Sequence, residues 1–160
     1  VRRRSPQARA ASAAPQGHPR TAGLVLLGRR DYTTRELTEK LQRKGYDAAE
    51  VDAAIRSLAG DGLLDDRRVA AAYVRTASRI KGRGRLRIAR ELEARGIARG
   101  LAEEVLARLP ADVESEAIQK ILSRKRWPER PSIADRRRMF QHLLRRGFPA
   151  DVIAKALRGA

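Results

Sequence analysis

The chain has 160 residues, with 36 Lys and Arg against 19 Asp and Glu, and no cysteine. That length suits one compact domain or a short array, and the missing thiols exclude a disulfide framework or a thiolate metal centre. A net charge of +17 points to a polyanionic partner, most simply nucleic acid, through counterion release. Apolar residues make up 42% but aromatics only 4%, so the core must be built from Leu, Ile, Val and Ala. His18 and His142 are too few and too far apart for a zinc site. The longest strongly apolar run, Leu24 to Leu27, is far too short to span a bilayer, and no h-region follows the N-terminal arginines. No membrane partner and a cytoplasmic location are expected.

Val1 to Arg20 lacks acids and almost all large apolar residues, so residues 1–20 are expected to form a disordered basic arm. Leu24 to Leu27 then begins a short helix ending near Arg29-Arg30. Thr33-x-x-Glu36 is a capping box: the hydroxyl and the carboxylate each satisfy an orphan amide. The helix it opens carries Leu37 and Leu41 on one face and stops at Gly45. Asp47-x-x-Glu50 opens the next, with Val51, Ile55 and Leu58 inward. Asp66 is expected to cap the following helix, whose apolar face is Val69, Tyr73, Ala77 and Ile80. Gly82 and Gly84 break it. Two more helices follow, one carrying Ile88 and Leu92 up to Gly96, the other Ala102, Val105, Leu106 and Leu109 up to Pro110. Another set starts near Asp112 with Val113, Ala117 and Ile121. After the proline-rich loop 127–132, Ser132-x-x-Asp135 caps a helix with Met139 and Leu143 ending at Gly147. Pro149 opens the last helix, which carries Val152, Ile153, Ala156 and Leu157.

A basic residue precedes a helix-ending Gly three times, at Gly45, Gly96 and Gly147, with a period of 51. Leu41, Leu92 and Leu143 precede these glycines by one helical turn, and Tyr46, Ile97 and Phe148 follow them. Four apolar positions in register with three glycines mark a repeat architecture. No segment shows strand alternation. The fold expected is all-α, with three tandem three-helix repeats at 21–64, 65–110 and 111–160, each small enough to need a stacked neighbour.

Arg75, Arg79, Lys81, Arg83, Arg85, Arg87 and Arg90 form the densest basic stretch outside the N-terminal arm, without an Asp or Glu among them. They are the first candidate for phosphate contact, with backbone amides near Gly82 and Gly84 as further donors. Arg136, Arg137 and Arg138 sit on an early helical turn, where the helix dipole disfavours them, which hints at function. Arg29, Arg30, Arg145 and Arg146 lie at helix C-termini, where dipole complementation alone explains them, with DNA or protein contact as the sharper reading. Glu103, Glu104, Asp112, Glu114 and Glu116 form an acidic interval opposed only by Arg108, expected to be a solvated face. Asp65-Asp66 is explained by helix capping; no catalytic residue, metal site or cofactor is indicated. Tyr32, Tyr73 and Trp127 are candidates for base stacking, but the register of Tyr73 assigns it to the core.

Leu24 to Asp66, with LLGRRDYTTRELTEKLQRKG and GDGLLDDRR, resembles the first part of the RecX family, bacterial regulators of the RecA recombinase. The resemblance runs through AAAYVRTASRIKGRGRLRIARELEARGI to HLLRRGFPADVIAKAL, about Ala22 to Leu157. It rests on Arg30 to Leu37, Gly62 to Arg68, Gly82/Gly84 and Arg145 to Phe148 in combination; Val69 departs from the aromatic more usual there. The resemblance implies a curved, elongated array of three helical repeats. It implies binding to the RecA filament on single-stranded DNA, with double-stranded DNA as a further ligand, and mostly inhibition of RecA ATP hydrolysis, strand exchange and co-protease action. It implies no enzyme activity. The rival from the charge alone is a general nucleic-acid-binding architectural module without RecA specificity.

Overall fold

The computed structural model describes residues 17–159. The arm expected over residues 1–20 therefore falls mostly outside the described residues. The described chain contains α-helices and one π-helical turn, with no strand among them. It separates into two compact units: residues up to Asp31 with Leu37–Leu64, and Tyr32–Glu36 with everything from Asp65 on.

In the first unit, α1 (Pro19–Leu27) packs on α3 (Ala48–Gly60), with Leu37 and Leu41 of α2 (Thr34–Arg43) completing the core. Helix α1 starts five residues before the expected Leu24. His18 Nδ1 accepts from the Arg20 amide at 3.2 Å, and Pro19 occupies the first turn, where its missing N–H costs nothing. Arg20 then donates to Ser57 and pairs with Asp61 at 2.7 Å, so the chain is ordered before the apolar run is reached. Leu26 faces the core while Leu24 and Val25 are exposed. Asp47 caps α3 by accepting from Ala49 and Glu50, as its position predicts.

The second unit holds two helical cores. One is made by α4 (Asp66–Arg75), α5 (Arg85–Ala94) and α6 (Arg99–Ala107), around Val74, Ile88, Leu92 and Ala102. The other is made by α7 (Ala111–Arg124), α8 (Ile133–Arg145) and α9 (Ala150–Arg158), around Ile118, Leu143, Phe148 and Ile153. Truncating such a fully buried Leu or Ile to Ala costs about 2–5 kcal/mol.

The expected Val69/Tyr73/Ala77/Ile80 face breaks at its end: Ile80 is 78% exposed. Thr76–Ile80 is a π-helical turn, in which the Lys81 amide reaches back to Thr76 O at 3.1 Å. A bond spanning five residues rotates the next side chains about the axis, so a four-residue period fails there. Ser78 turns inward instead and donates to Val74 O at 2.7 Å.

One contact recurs within the second unit. Thr33 Oγ1 donates to Arg95 O at 2.6 Å; the Gly84 amide, at the position 51 residues on, donates to Arg146 O at 2.9 Å, again 51 residues on. The Leu86 amide adds a bond to Gly147 O at 3.0 Å. A Cβ on Gly84 would overlap the Gly147 carbonyl, so this approach of two backbones requires glycine. Gly96 and Gly147 thus also serve as docking corners.

Candidate nucleic-acid interface

The central basic stretch divides into ion-paired and unpaired cations. Arg83 donates to Glu91 at 2.7 Å and to the Tyr73 hydroxyl at 3.1 Å, while Arg87 reaches Glu91 at 2.9 Å. The Tyr73 hydroxyl donates to the same carboxylate at 2.8 Å. Burial alone would raise the Glu91 carboxyl; hydrogen bonds from Arg87, Tyr73 and Arg83 outweigh it and hold the group below its ordinary range. Tyr73 moves up, through burial first and then its bond to Glu91. Arg95 lies 5.1 Å from the Tyr73 ring centroid and pairs with Glu36 at 2.8 Å. The ring is therefore part of a polar lattice rather than a surface for bases.

Arg85 is engaged more deeply. Its amide and its Nε donate to Glu114 at 2.9 and 2.6 Å, and the Glu114 side chain is 1% exposed. This corrects two expectations. Glu114 is no part of a solvated acidic face, and the positive charge around Gly84 is partly offset by acids brought in from α5 and α7. Most backbone amides there are already taken: those of Lys81, Arg83, Gly84, Arg85 and Leu86 all have acceptors. Two of the other acids find cations too, Glu103 with Arg99 and Glu104 with Arg67 and Arg108. Asp65 caps α4 by accepting from Arg67 and Arg68, not Asp66 as expected. Asp66 accepts from the Thr34 amide at 2.7 Å, so both carboxylates satisfy helix-start donors.

The third group divides similarly. Arg136 donates to Leu157 O at the end of α9, and Arg138 pairs with Asp135, which accounts for basic residues on an early turn. Two hydrogen bonds from Ser132 and that pair hold Asp135 down at about 2. Arg146 donates to the carbonyls of Gly82 and Lys81 at 3.2 and 2.8 Å. In the first unit, Arg29 and Arg30 are exposed after α1, and Arg30 donates to Asp31 O.

What remains exposed and unpaired is a subset of the expected cations. Arg75, Arg79, Lys81, Arg90, Arg137 and Arg145 are exposed and make no ion pair among the described residues. Arg75 and Arg79 line one groove beside Pro110. Lys81 lines another, of about 230 Å³, with Lys120, Arg124 and Lys125 from the end of α7 and Arg146 from α8. Sequence reasoning does not single out Lys120, Arg124 and Lys125. Their run, KILSRKR, ends a helix, where the dipole rule accounts for cations too readily. His142 stands beside them; burial first, then Lys125, Arg146 and Arg145, lower its pKa. The surface is thus a locus of positive potential able to hold a phosphate-bearing chain.

Residues 20–58, 65–106 and 112–157 match the first, second and third three-helix domains of RecX. The chain is 43% identical over 145 residues to the regulatory protein RecX of Halorhodospira halophila, covering 88% of this chain and 87% of that one. It is 36% identical over 141 residues to the same-named protein of Pelodictyon phaeoclathratiforme, covering 86% of each. Its fold is similar to the crystal structure of RecX from Lactobacillus salivarius, with a TM-score of 0.82 at 23% identity over 88% of this chain and 93% of that one. No helix of the described residues is long and apolar enough to cross a membrane.

Proposed function

The chain belongs to the RecX regulatory protein family, and from that premise we propose that it is a non-enzymatic, cytoplasmic regulator that binds RecA filaments on single-stranded DNA. It lowers RecA ATP hydrolysis, strand exchange and co-protease action. The observation that carries the reading is the set of exposed cations Lys81, Lys120, Arg124 and Lys125, gathered on one groove of the second unit without an acid among its lining residues. Such a groove attracts the phosphates of a filament's DNA by counterion release. Arg146 supports it by donating to the carbonyls of Lys81 and Gly82, which fixes the backbone from which Lys81 projects.

The test is RecA's single-stranded-DNA-dependent ATP hydrolysis, with this protein titrated below the RecA concentration. Wild type is expected to suppress hydrolysis and a Lys81/Lys120/Arg124/Lys125→Ala variant of unchanged helicity to lose most of that effect. Tight, salt-sensitive DNA binding with no effect on RecA would replace this reading with that of a general architectural module, which the net charge of +17 also favours.

A further inference from the structure

Beside that groove lies a second cleft, of about 890 Å³, between the α7–α8 loop and the outer side of α8. Its lining joins the sole tryptophan, Trp127, to Lys125, Arg126, Arg138, His142 and Arg145, with one carboxylate, Asp135, paired to Arg138. Among the described residues, two side-chain polar atoms are buried with no hydrogen-bond partner: Trp127 Nε1 and His142 Nε2. Both belong to residues of this one cleft. An unpaired buried polar atom is costly, and these two sit on side chains that line the cleft, beneath its surface rather than in it.

The backbone gives an independent sign. Helices α5 and α8 end with the same closure: the amide after the cap bonds back across a full turn, Ile97 to Leu92 O and Phe148 to Leu143 O. The residue in the left-handed region is glycine in both, Gly96 at φ +86° and Gly147 at φ +85°. Helix α7 closes identically, Trp127 to Leu122 O, yet the left-handed residue is Arg126 at φ +50°. It is the one non-glycine with positive φ among the described residues. A side chain there is strained where glycine would not be. The strained residue places a cation at the mouth of the cleft and sets Trp127 in its wall, and strain of this kind gathers at ligand sites.

We propose that this cleft is a subsite for one unstacked nucleotide of single-stranded nucleic acid, its base against Trp127 and its phosphate among Arg126, Arg138 and Arg145. The cleft volume lies in the range that encloses a small molecule. An aromatic wall with a cationic rim is the chemistry of single-strand binding, because a base offers its face only when unpaired. The proposal rests on the reading that this protein binds single-stranded DNA, and it adds a place for the base.

Because Trp127 is the only tryptophan, its emission reports on this cleft alone. The full chain is titrated with oligo-dT, with a duplex of equal length and with inorganic phosphate, while anisotropy of labelled DNA follows binding separately. Oligo-dT is expected to quench the emission to saturation at stoichiometry, with little change from duplex or phosphate. Saturating anisotropy with unchanged emission would overturn the subsite and leave DNA binding standing. Equal quenching by duplex or phosphate would overturn the base contact. An emission change that needs RecA and not DNA would give the cleft to a protein segment and also overturn it. No DNA binding even at low salt would instead remove the parent reading. Arg126→Gly separates function from packing. It is expected to raise the melting temperature by relieving φ while weakening oligo-dT binding several-fold. Trp127→Leu is expected to weaken oligo-dT binding about tenfold, with duplex affinity unchanged. A gain in stability from Arg126→Gly with no loss of oligo-dT affinity would sink the proposal.

Discussion

Two basic runs in the second unit look alike in sequence and behave in opposite ways. Arg83, Arg85 and Arg87 surround a glycine corner, and each donates to a carboxylate. Lys120, Arg124 and Lys125 end a helix, and none makes an ion pair among the described residues. The difference lies in which elements face them. Arg83 precedes α5 and Arg87 lies in its first turn, and both meet Glu91 one or two turns on, while Arg85, at the start of α5, meets Glu114 of α7. The end of α7 faces Lys81, Arg146 and His142, and no acid lines that groove. Density of charge along the chain therefore says little about which cations are available; the faces packed against them decide it.

The sharpest way to break this contrast is Arg85→Ala. It leaves the Glu114 carboxylate buried with one amide donor, and loss of one partner of a buried pair is expected to cost about 3 kcal/mol. Urea unfolding should show a lower midpoint at nearly unchanged slope. The double variant Arg85→Met, Glu114→Leu should recover most of the loss, because well-packed apolar groups replace a buried pair at little cost. A drop of under about 0.5 kcal/mol for Arg85→Ala would mean that the pair is no more than a surface contact.

The complementary variant, Lys120/Arg124/Lys125→Ala, should leave stability within about 0.5 kcal/mol, as exposed substitutions generally do. It should instead flatten the dependence of single-strand affinity on salt, by about 2 in log–log slope if each cation neutralises one phosphate. Destabilisation without a change in slope would reverse the assignment of roles between the two runs.

Much of the fold is legible in the sequence because local rules agree with packing. The capping boxes at Thr33/Glu36 and Ser132/Asp135 are present in the structure. The apolar positions beside the 51-residue glycine pattern, Leu41, Leu92 and Leu143, are fully buried. Ile80 escapes sequence reasoning because a π turn carries no sequence signature and breaks the helical period. The start of α1 escapes it because His18 is not a usual cap and Pro19-Arg20 looks like a tail. The candidate site is legible only as charge. Glu91 and Glu114 cancel arginines from positions that only the packing of helices brings near. The exposed cations of α7 are hidden by a dipole argument that fits any basic helix end. Nothing in spacing alone marks Arg126 as a residue held in the left-handed conformation that glycine adopts at the ends of α5 and α8.

The smallest expected effect tests the boundary between the two classes of cation. Arg138 is exposed and lines the Trp127 cleft, yet it pairs with Asp135. Asp135 is held at about 2, by the Ser132 hydroxyl first, then by Arg138 and the Ser132 amide, against an ordinary value of 3.8. A carboxyl whose folded pKa is depressed adds stability that is present in full above its unfolded value. That stability is lost as pH falls through the folded value. The first turn of α8 should therefore hold to about pH 3.8 and fray as the pH approaches 2, with amides near Asp135 exchanging faster before the core opens. The carboxyl's own NMR titration gives the midpoint directly. In Arg138→Ala that midpoint should rise only part of the way towards 3.8, because the two Ser132 bonds remain. Addition of oligo-dT should shift it in the same direction if the phosphate draws Arg138 away from Asp135. A midpoint unmoved by saturating oligo-dT would place Arg138 with the paired, structural arginines and leave Arg126 and Arg145 to hold the phosphate.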